Sequence, residues 1–336
     1  MPSSAVADAT TRELTLSQAV NAAIAEELRR DETVFVIGED VAEAGTPFKV
    51  LSGLVEEFGP ERIIDSPISE AGIAGLGLGA AMTGMRPIVD IMFGDFMTLV
   101  MDQLVNQAAK IRYMSGGRLS APLTVRTTLG ATRRSAAQHS QSLHALVAHI
   151  PGLKVVLPST PYDAKGLFKS AIRDDDPVVV FEDKMMFAVK GPVPEEEYLI
   201  PLGEADVKRA GEDVTIVATS SMVYVALEAA ELLAADGIEA EVVDPRTIVP
   251  LDRETIVRSA KKTGRAIIVD EGHRSYGVGA EIAALIGEEA FYDLDAPVRR
   301  QCARDVPIPF SPVLEDVTVP TAETVYAEAT SLVGKR

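Results

Sequence analysis

The sequence predicts an α/β protein of two domains, each built around a parallel sheet with helical crossovers. The chain has 336 residues, 47% of them hydrophobic, which is enough for two separate cores. Runs typical of buried strands alternate with runs of helical period along the sequence. A segment rich in proline, glycine and glutamate, KGPVPEEEYLIPLGEA, divides this alternation into two halves.

The first half, predicted as a domain over residues 12–190, begins with an amphipathic helix in TLSQAVNAAIAEELRRD. Thr160, followed by Pro161 and Asp163, predicts the start of a further helix in YDAKGLFKSAI, because these residues suit a helix N-terminus. A polar loop, ATRRSAAQHSQS, follows one of the strands. The other predicted strands and helices are TVFVIGED, RPIVDIMF, DFMTLVMDQLVNQAAKIRYMSGG, APLTVRTTLG, LKVVLP and PVVVFED.

The second half repeats the alternation over a predicted domain at 204–334, after a predicted linker at 191–203. Its strands are DVTIVATSS, IEAEVVD and RAIIVDEG, and its helices are MVYVALEAAELLAADG and DRETIVRSAKKTG. Strands that alternate with helices in this way are typical of a parallel sheet, because a crossover is needed between parallel neighbours.

Charge and cysteine content exclude several classes of partner and compartment. The formal charge of −18 would repel nucleic acids and anionic membrane surfaces. No apolar run approaches the roughly 20 residues needed to cross a bilayer. The single cysteine, Cys302, excludes an intrachain disulfide and favours a reducing compartment. Since the first residues lack the pattern of a secretion signal, we expect a cytoplasmic protein.

The most unusual segment is DSPISEAGIAGLGLGAAMTG, which carries five glycines after an isolated carboxylate, Glu70. A nicotinamide-binding loop places its glycines in the turn before a helix, whereas these glycines are predicted inside one. Gly72, Gly75 and Gly79 share a face, which indicates either an ordinary core contact or a tight helix contact across a subunit interface. By itself, Glu70 is explained as a carboxylate favoured by the helix dipole.

The four histidines do not form a metal-binding pattern. His139, His144 and His149 are spaced by five residues, which places neighbours about 140° apart on a helix. His139 lies in the polar loop after a strand, where a side chain can project into a cleft. It is therefore a candidate catalytic residue, while His144, His149 and His273 are interpreted as structural.

Several stretches together resemble a known family, and the likeness covers almost the whole chain. They are GEDV, DSPISEAGIAG, MDQLVNQAAKIRYMSGG, QHSQS, HIPGLKVVLPS and YGVGAEIAA. In this order they are similar to the β subunit of the thiamine diphosphate-dependent component of 2-oxo acid dehydrogenase complexes, of the pyruvate and acetoin dehydrogenase type.

The resemblance implies a transketolase-like fold, with a pyrimidine-binding domain followed by a transketolase C-terminal-like domain. It implies an α₂β₂ heterotetramer in which thiamine diphosphate lies between chains. In this family a Gly-Asp-Gly motif of the α subunit binds Mg²⁺ and the diphosphate, and this chain has no such motif. A lipoyl acyltransferase core is the implied further partner.

The resemblance also assigns roles to individual residues. Glu70 matches the glutamate that hydrogen-bonds the aminopyrimidine ring, and Ile68 and Phe96 match apolar residues that line the pyrimidine pocket. His139 matches the histidine near the reacting carbon, proposed to stabilise an oxyanion or to handle a proton during acyl transfer.

SAIRDDDP resembles the family's monovalent-cation loop. The ligands implied for potassium are the carbonyls of Ala171 and Ile172 together with Asp174 and Asp176. A solvated acidic turn is the alternative interpretation. A helix carboxyl end with added carboxylates suits a hard cation.

The substrate stays open at this point. Arg133 and Arg134 stand near the candidate histidine, as a basic residue does in the acetoin type, whereas the C-terminal motifs look like the pyruvate type. These arginines could meet a substrate carboxylate or face a partner. We expect oxidative decarboxylation of pyruvate with reductive acylation of lipoyl groups. The alternatives are acetoin oxidation, branched-chain 2-oxo acid oxidation, and a stand-alone nicotinamide-dependent oxidoreductase.

Overall fold

The computed structural model describes residues 10–334, which fall into two compact units. Of the described residues, the N-terminal unit contains 10–129 and 146–202. The C-terminal unit contains 130–145 and 203–334. The polar loop that carries His139 is therefore grouped with the C-terminal unit.

The first part of the chain alternates strands and helices as predicted. The strands are β1 Thr11–Thr15, β2 Val34–Gly38, β3 Ile63–Asp65, β4 Arg86–Ile91, β5 Thr124–Leu129, β6 Lys154–Val156, β7 Val178–Asp183 and β8 Lys190–Pro194. The α-helices are α1 Leu16–Arg30, α2 Leu54–Phe58, α3 Glu70–Met82, α4 Ala109–Met114, α5 His144–Ala148 and α6 Pro161–Arg173.

The N-terminal unit is organised around a parallel sheet in which β6, β7, β5, β4, β2 and β3 lie side by side in that order. Its central strands are buried along their whole length, as expected of a sheet covered on both faces. Because all six strands run in the same direction, the segments that follow them emerge at one edge of the sheet.

Two predicted helices form, and each begins with a capping bond. Thr15, the first residue of the predicted segment, caps α1 in a capping box with Gln18, although it was not predicted to be the cap. Thr160 caps α6 by accepting a hydrogen bond from the Asp163 amide at 3.1 Å, with Pro161 as the first helical residue. These side chains satisfy amides that the first turn of a helix leaves unpaired.

The run after Gly94, predicted as one continuous helix, has three geometries in succession. A 3₁₀ helix spans Gly94–Val100, a π-helical segment spans Asp102–Ala108, and α4 follows directly. π-Helical turns occur mostly as local distortions within helices and often at functional sites. Apolar spacing did not distinguish these geometries, because the buried residues Met97, Val100, Leu104 and Ala108 are still three or four positions apart.

The C-terminal unit has a sheet that is parallel, as predicted, except at one edge. The strands of the unit are β9 Asp206–Arg209, β10 Val214–Ala218, β11 Ala240–Asp244, β12 Thr247–Val249, β13 Ala266–His273 and β14 Arg299–Ala303, and all of them except β12 belong to this sheet. Its α-helices are α7 Met222–Ala235, α8 Arg253–Thr263, α9 Val278–Glu289, α10 Pro312–Glu315 and α11 Ala322–Val333. In the order β14, β13, β10, β11 and β9 all neighbours are parallel except β11 and β9. An antiparallel edge strand of this kind is common on an otherwise parallel sheet.

The α/β fold with two sheet-based units is confirmed, with one addition. The predicted linker at 191–203 begins within β8, which pairs antiparallel with β1 and so is not irregular throughout. No helix in the described part of the chain is both long and apolar enough to span a membrane.

Candidate active site

Three of the predicted site residues lie at the carboxyl edge of the N-terminal sheet. Ile68 and Glu70 follow β3, and Phe96 follows β4. Since β3 and β4 both run parallel to β2, the segments after them emerge on the same side. The 3₁₀ helix that carries Phe96 also packs against α3, the helix that begins at Glu70.

Glu70 is the first residue of α3 and is partly exposed. Within residues 10–334 we find no hydrogen bond to its carboxylate, so the oxygens are available to a ligand or partner. Glu39, at the end of β2, lies within electrostatic range. Burial raises the pKa of Glu39, and the negative charges of Asp40 and Glu70 raise it further.

The two apolar site residues differ in exposure. Ile68 is 75% exposed, although isoleucine is normally buried. Phe96 is half-buried and packs edge-on against Phe93, with ring centroids 5.9 Å apart. Its turn is held close to β5, since a Cβ at Gly94 would overlap the Thr128 carbonyl oxygen. The site therefore offers one ordered ring and one uncovered aliphatic side chain.

The glycine face predicted on α3 is on the surface of this chain. Gly72, Gly75 and Gly79 are exposed, and a Cβ at Gly75 or Gly79 would meet no atom within 4 Å. Leu76, on the same stretch, is 52% exposed. Gly77, in contrast, faces the core, where a Cβ would overlap Val89. The nucleotide-loop interpretation is wrong for these glycines, because they lie inside the helix.

A buried ion cluster lies across three neighbouring strands of the same sheet. Arg126 of β5 binds both carboxylate oxygens of Glu182 on β7, at 2.7 and 2.8 Å, and also pairs with Asp90 on β4. Burial raises the pKa of Asp90 and of Glu182, while the charge of Arg126 opposes the shift. The cluster ties together strands whose ends support the site.

His139, half-buried, lies in the segment 130–145, whose backbone is unusual. Thr132, Arg134 and Ala136 all have positive φ angles, of 67°, 59° and 61°. The left-handed region is uncommon for residues other than glycine. The amide of His139 donates to the Ala136 carbonyl at 3.4 Å, which closes the last turn before the histidine.

The structure assigns Arg134 a partner within the C-terminal unit. Its guanidinium pairs with the buried carboxylate of Glu315 at 2.5 Å and with Asp316 at 2.7 Å. This pairing was not predicted, and it tests neither of the two roles considered for Arg134, a substrate contact or a partner contact. Arg133 is exposed, and its role stays open.

His144 is buried, as its structural interpretation requires. Its Nε2 lies 3.1 Å from a carboxylate oxygen of Asp270 on β13, which also accepts a hydrogen bond from Thr219 at 2.6 Å. Burial by itself would raise the pKa of Asp270, but His144 and the hydrogen bonds from Thr219 and Gly272 hold this pKa below its usual value.

The acidic turn predicted to bind potassium already carries cationic side chains. Lys154 binds the Asp174 carboxylate at 2.6 Å, and Arg112 binds the Asp176 carboxylate at 2.5 Å. Arg86 donates to the Ile172 carbonyl at 3.1 Å and to the Asp174 carbonyl at 2.9 Å. The predicted ligands therefore lie together, but their side chains have partners, and the potassium site stays a prediction.

Sequence reasoning missed the charged residues that support the site. Asp90, Arg126 and Glu182 were included in predicted strands without being assigned a role. A charge inside an apolar strand is a usable signal, because buried charges are rarely found without a partner. Which charges pair depends on strand order, which the sequence pattern does not specify.

Comparisons with known proteins agree with the geometry. Two family models match the chain: "Transketolase, pyrimidine binding domain" over residues 12–189 and "Transketolase, C-terminal domain" over residues 203–325. A solved structure described as a split gene transketolase, an inactive beta4 tetramer, superposes with a TM-score of 0.79 at 25% identity, covering 96% of this chain and 99% of its own.

Three relatives from Bacillus subtilis (strain 168) match nearly end to end. Acetoin:2,6-dichlorophenolindophenol oxidoreductase subunit beta is 51% identical over 96% of this chain and 98% of its own length. The 2-oxoisovalerate dehydrogenase subunit beta is 48% identical over 92% and 95%. The pyruvate dehydrogenase E1 component subunit beta is 47% identical over 94% and 98%. The chain therefore belongs to the family of E1 β subunits of the pyruvate, acetoin and branched-chain 2-oxo acid dehydrogenases, built from transketolase pyrimidine-binding and C-terminal domains.

Proposed function

We propose that this chain is the β subunit of a thiamine diphosphate-dependent enzyme that oxidatively decarboxylates pyruvate or a related 2-oxo acid and acylates lipoyl groups. The proposal is best supported by the positions of Glu70, Ile68 and Phe96, which lie at one sheet edge of a transketolase pyrimidine-binding domain. Carboxyl edges of parallel sheets are where open α/β folds bind their ligands.

These three residues fit the pyrimidine half of thiamine diphosphate. Phe96 offers a ring against which a flat heterocycle can pack, and Ile68 has apolar surface to cover it. The Glu70 carboxylate has no hydrogen-bond partner among residues 10–334, so it is available to a ring nitrogen. When bound, the cofactor supplies a carbon nucleophile and a sink for the electrons released on decarboxylation.

Glu70 holds the proton at the pyrimidine ring nitrogen in this proposal. Such a role needs a carboxyl with raised proton affinity, which a dry environment provides. In the single chain Glu70 is partly exposed. The proposal therefore requires a second chain that covers the sheet edge and excludes water from Glu70.

His139 acts on the substrate side. An imidazole holds or releases a proton near neutral pH, so His139 can stabilise an oxyanion or pass a proton when the acyl group leaves for a lipoyl sulfur. In the proposal the strained turn before His139 fixes the backbone from which the imidazole reaches the reacting atoms.

The partners in this proposal are an α subunit, in an α₂β₂ heterotetramer, and a lipoyl acyltransferase core. The α subunit would supply the ligands for Mg²⁺ and for the diphosphate. Exposed Gly75, Gly79 and Leu76 on α3 support a helix contact with another chain, since a glycine face allows two backbones to approach closely. A cytoplasmic location stays a prediction, and potassium at the acidic turn remains a secondary part of the proposal.

Acetoin oxidation is the second candidate. The relative named for acetoin is 51% identical to this chain, compared with 47% for the B. subtilis pyruvate enzyme subunit. Acetoin has no carboxylate, so its recognition needs no cationic side chain. The pairing of Arg134 with Glu315 leaves one fewer cation for a substrate carboxylate and is compatible with this candidate.

Co-purification with the α subunit followed by dye-coupled oxidation assays tests the proposal. Pyruvate, 2-oxoisovalerate and acetoin are compared at saturating thiamine diphosphate and Mg²⁺. We expect turnover of at least one of them that depends on the cofactor, with pyruvate the preferred substrate. If none is oxidised by an assembled, cofactor-loaded tetramer, the proposed function is wrong.

A further inference from the structure

We propose that two buried carboxylates, Glu315 and Glu271, are positioning residues for His139. They fix the strained segment 130–140, defined here as the histidine turn, and so set where the imidazole lies. The inference rests on the proposed function, because that function gives His139 its role in the reaction. Neither carboxylate is placed at the reacting atoms, so both act through the backbone that carries His139.

The histidine turn stores conformational strain. Thr132, Arg134 and Ala136 occupy the left-handed region at every second position, with φ angles of 67°, 59° and 61°. Each such residue has a free-energy cost and persists only where its surroundings over-determine it. The turn therefore needs specific bonds that favour this backbone over relaxed alternatives.

Glu271 supplies the first of these bonds at the start of the histidine turn. It lies on β13 and is buried, with 7% of its surface exposed. One of its carboxylate oxygens accepts the Ala131 amide at 2.6 Å. A charge-assisted hydrogen bond in a buried setting is stronger than one between neutral groups. The residue just before Thr132 is thus fixed to a strand of the sheet.

Glu315 supplies two further bonds to the strained residues themselves. It is fully buried at the end of α10, where Thr318 donates its amide to the Glu315 carbonyl at 2.9 Å. One carboxylate oxygen accepts the Thr132 amide at 2.6 Å, and the other pairs with Arg134 at 2.5 Å. One side chain therefore contacts two of the three left-handed residues.

The far end of the loop is fixed independently. His144 lies against Asp270, the residue next to Glu271 on β13. Adjacent residues of one strand thus hold the polar loop before and after His139. Because Glu271 and Asp270 are neighbours on one strand, the stretch between Ala131 and His144 has limited conformational freedom. Within it, Glu315 binds the left-handed residues that precede His139.

This arrangement predicts a specific kinetic defect when the Glu315 charge is removed. Glu315→Gln keeps the size of the side chain but weakens the bonds to the Thr132 amide and to Arg134. A displacement of about 1 Å in a catalytic group is enough to slow turnover by about 100-fold. We expect kcat to fall by about 10- to 100-fold while KM changes by less than about threefold.

A double-mutant cycle in the α₂β₂ holoenzyme separates positioning from general damage. Glu315→Gln is measured in the wild-type background and in His139→Ala, with turnover as the readout. If Glu315 acts through His139, its effect shrinks to less than about threefold once His139 is gone. An equal loss in both backgrounds, or no loss in the wild-type background, overturns the proposal.

Hydrogen exchange gives a readout that needs no activity. In Glu315→Gln we expect faster exchange at the amides of Thr132 and its neighbours, with protection of the β13 core unchanged. Unchanged exchange in the histidine turn overturns the proposal. The matched control is Asp316→Asn, which alters an exposed partner of Arg134 and should leave both exchange and kcat within about twofold of wild type.

The turnover measurements and the hydrogen-exchange measurements can fail separately. A wild-type holoenzyme that oxidises no 2-oxo acid or acetoin contradicts the proposed function, whereas the exchange experiment still decides whether Glu315 fixes the turn. If the wild type is active but the effects of Glu315→Gln and His139→Ala on turnover are additive, only the positioning role of Glu315 is contradicted.

Discussion

Replacing Gly75 by alanine tests whether a helix of another subunit packs against α3. Gly75 lies in the interior of α3, its φ is not in the left-handed region, and a Cβ there would meet no atom within 4 Å. Nothing within residues 10–334 therefore explains why the position lacks a side chain. A closely approaching helix of another subunit would explain it.

The Gly75→Ala substitution should stabilise the folded β chain but weaken its association with other subunits. Alanine is favoured over glycine in a helix interior by about 1 kcal/mol, so the free energy of unfolding of the β chain should rise by about that amount. If a partner helix lies against Gly75, the added methyl group overpacks the contact and costs about 1–3 kcal/mol. That corresponds to about a 5- to 150-fold weaker association.

Two assays measure the two terms. Urea unfolding of the isolated β chain reports the folding term, and sedimentation of α with β over a concentration series reports the association constant. Gly77→Ala is the control on the same helix, because its Cβ would overlap Val89, and we expect it to lower the unfolding free energy. Unchanged association of Gly75→Ala would refute the interface assigned to this face of α3.

Three further predictions concern charged and reactive groups. Arg126→Met leaves Asp90 and Glu182 buried without a cation and should lower the unfolding free energy by about 3–5 kcal/mol at pH 8. Burial raises the pKa of both carboxyls, so the folded state binds their protons more tightly than the unfolded state. In urea unfolding experiments, the decrease in unfolding free energy caused by Arg126→Met should therefore be smaller at acidic pH. Burial, reinforced by the charge of Asp270, raises the pKa of Cys302 to about 12. At pH 8 only about one thiol in ten thousand is therefore ionised. A thiol reagent should label the folded chain far more slowly than the unfolded chain. Rapid labelling of folded protein would contradict this. Potassium binding at the acidic turn predicts a saturable rise in melting temperature in KCl over choline chloride, abolished in Asp174→Asn, whereas equal melting temperatures would contradict that site.

The fold was predictable because its signals are local. The cap at Thr160 depends on a residue three positions away, and the apolar runs VFVIG of β2 and VVVF of β7 are continuous and short. Burial of whole strands on both faces follows directly from such runs. The antiparallel edge strand β9 was not predictable, because its direction depends on pairing with β11 rather than on its own sequence.

The site was predictable only in part. Glu70 could be located at a helix start from pattern alone, but a role for it came from resemblance to a family. The partners of Arg134 could not be predicted, because Glu315 is 181 residues away in sequence. Such contacts depend on how distant segments meet in the folded chain, which local periodicity does not encode. For the same reason Glu271 and Glu315 received no role from the sequence.

A comparison of wild type with Glu70→Gln in the assembled α₂β₂ enzyme tests whether this chain takes part in catalysis. The amide keeps the shape of the side chain but is a far poorer acceptor and carrier of the proton at the pyrimidine ring. We predict that Glu70→Gln assembles normally and that its thiamine diphosphate-dependent turnover of 2-oxo acid or acetoin falls by about 100-fold or more. A Glu70→Gln tetramer with full activity would contradict the catalytic role of this chain and leave it as an assembly subunit.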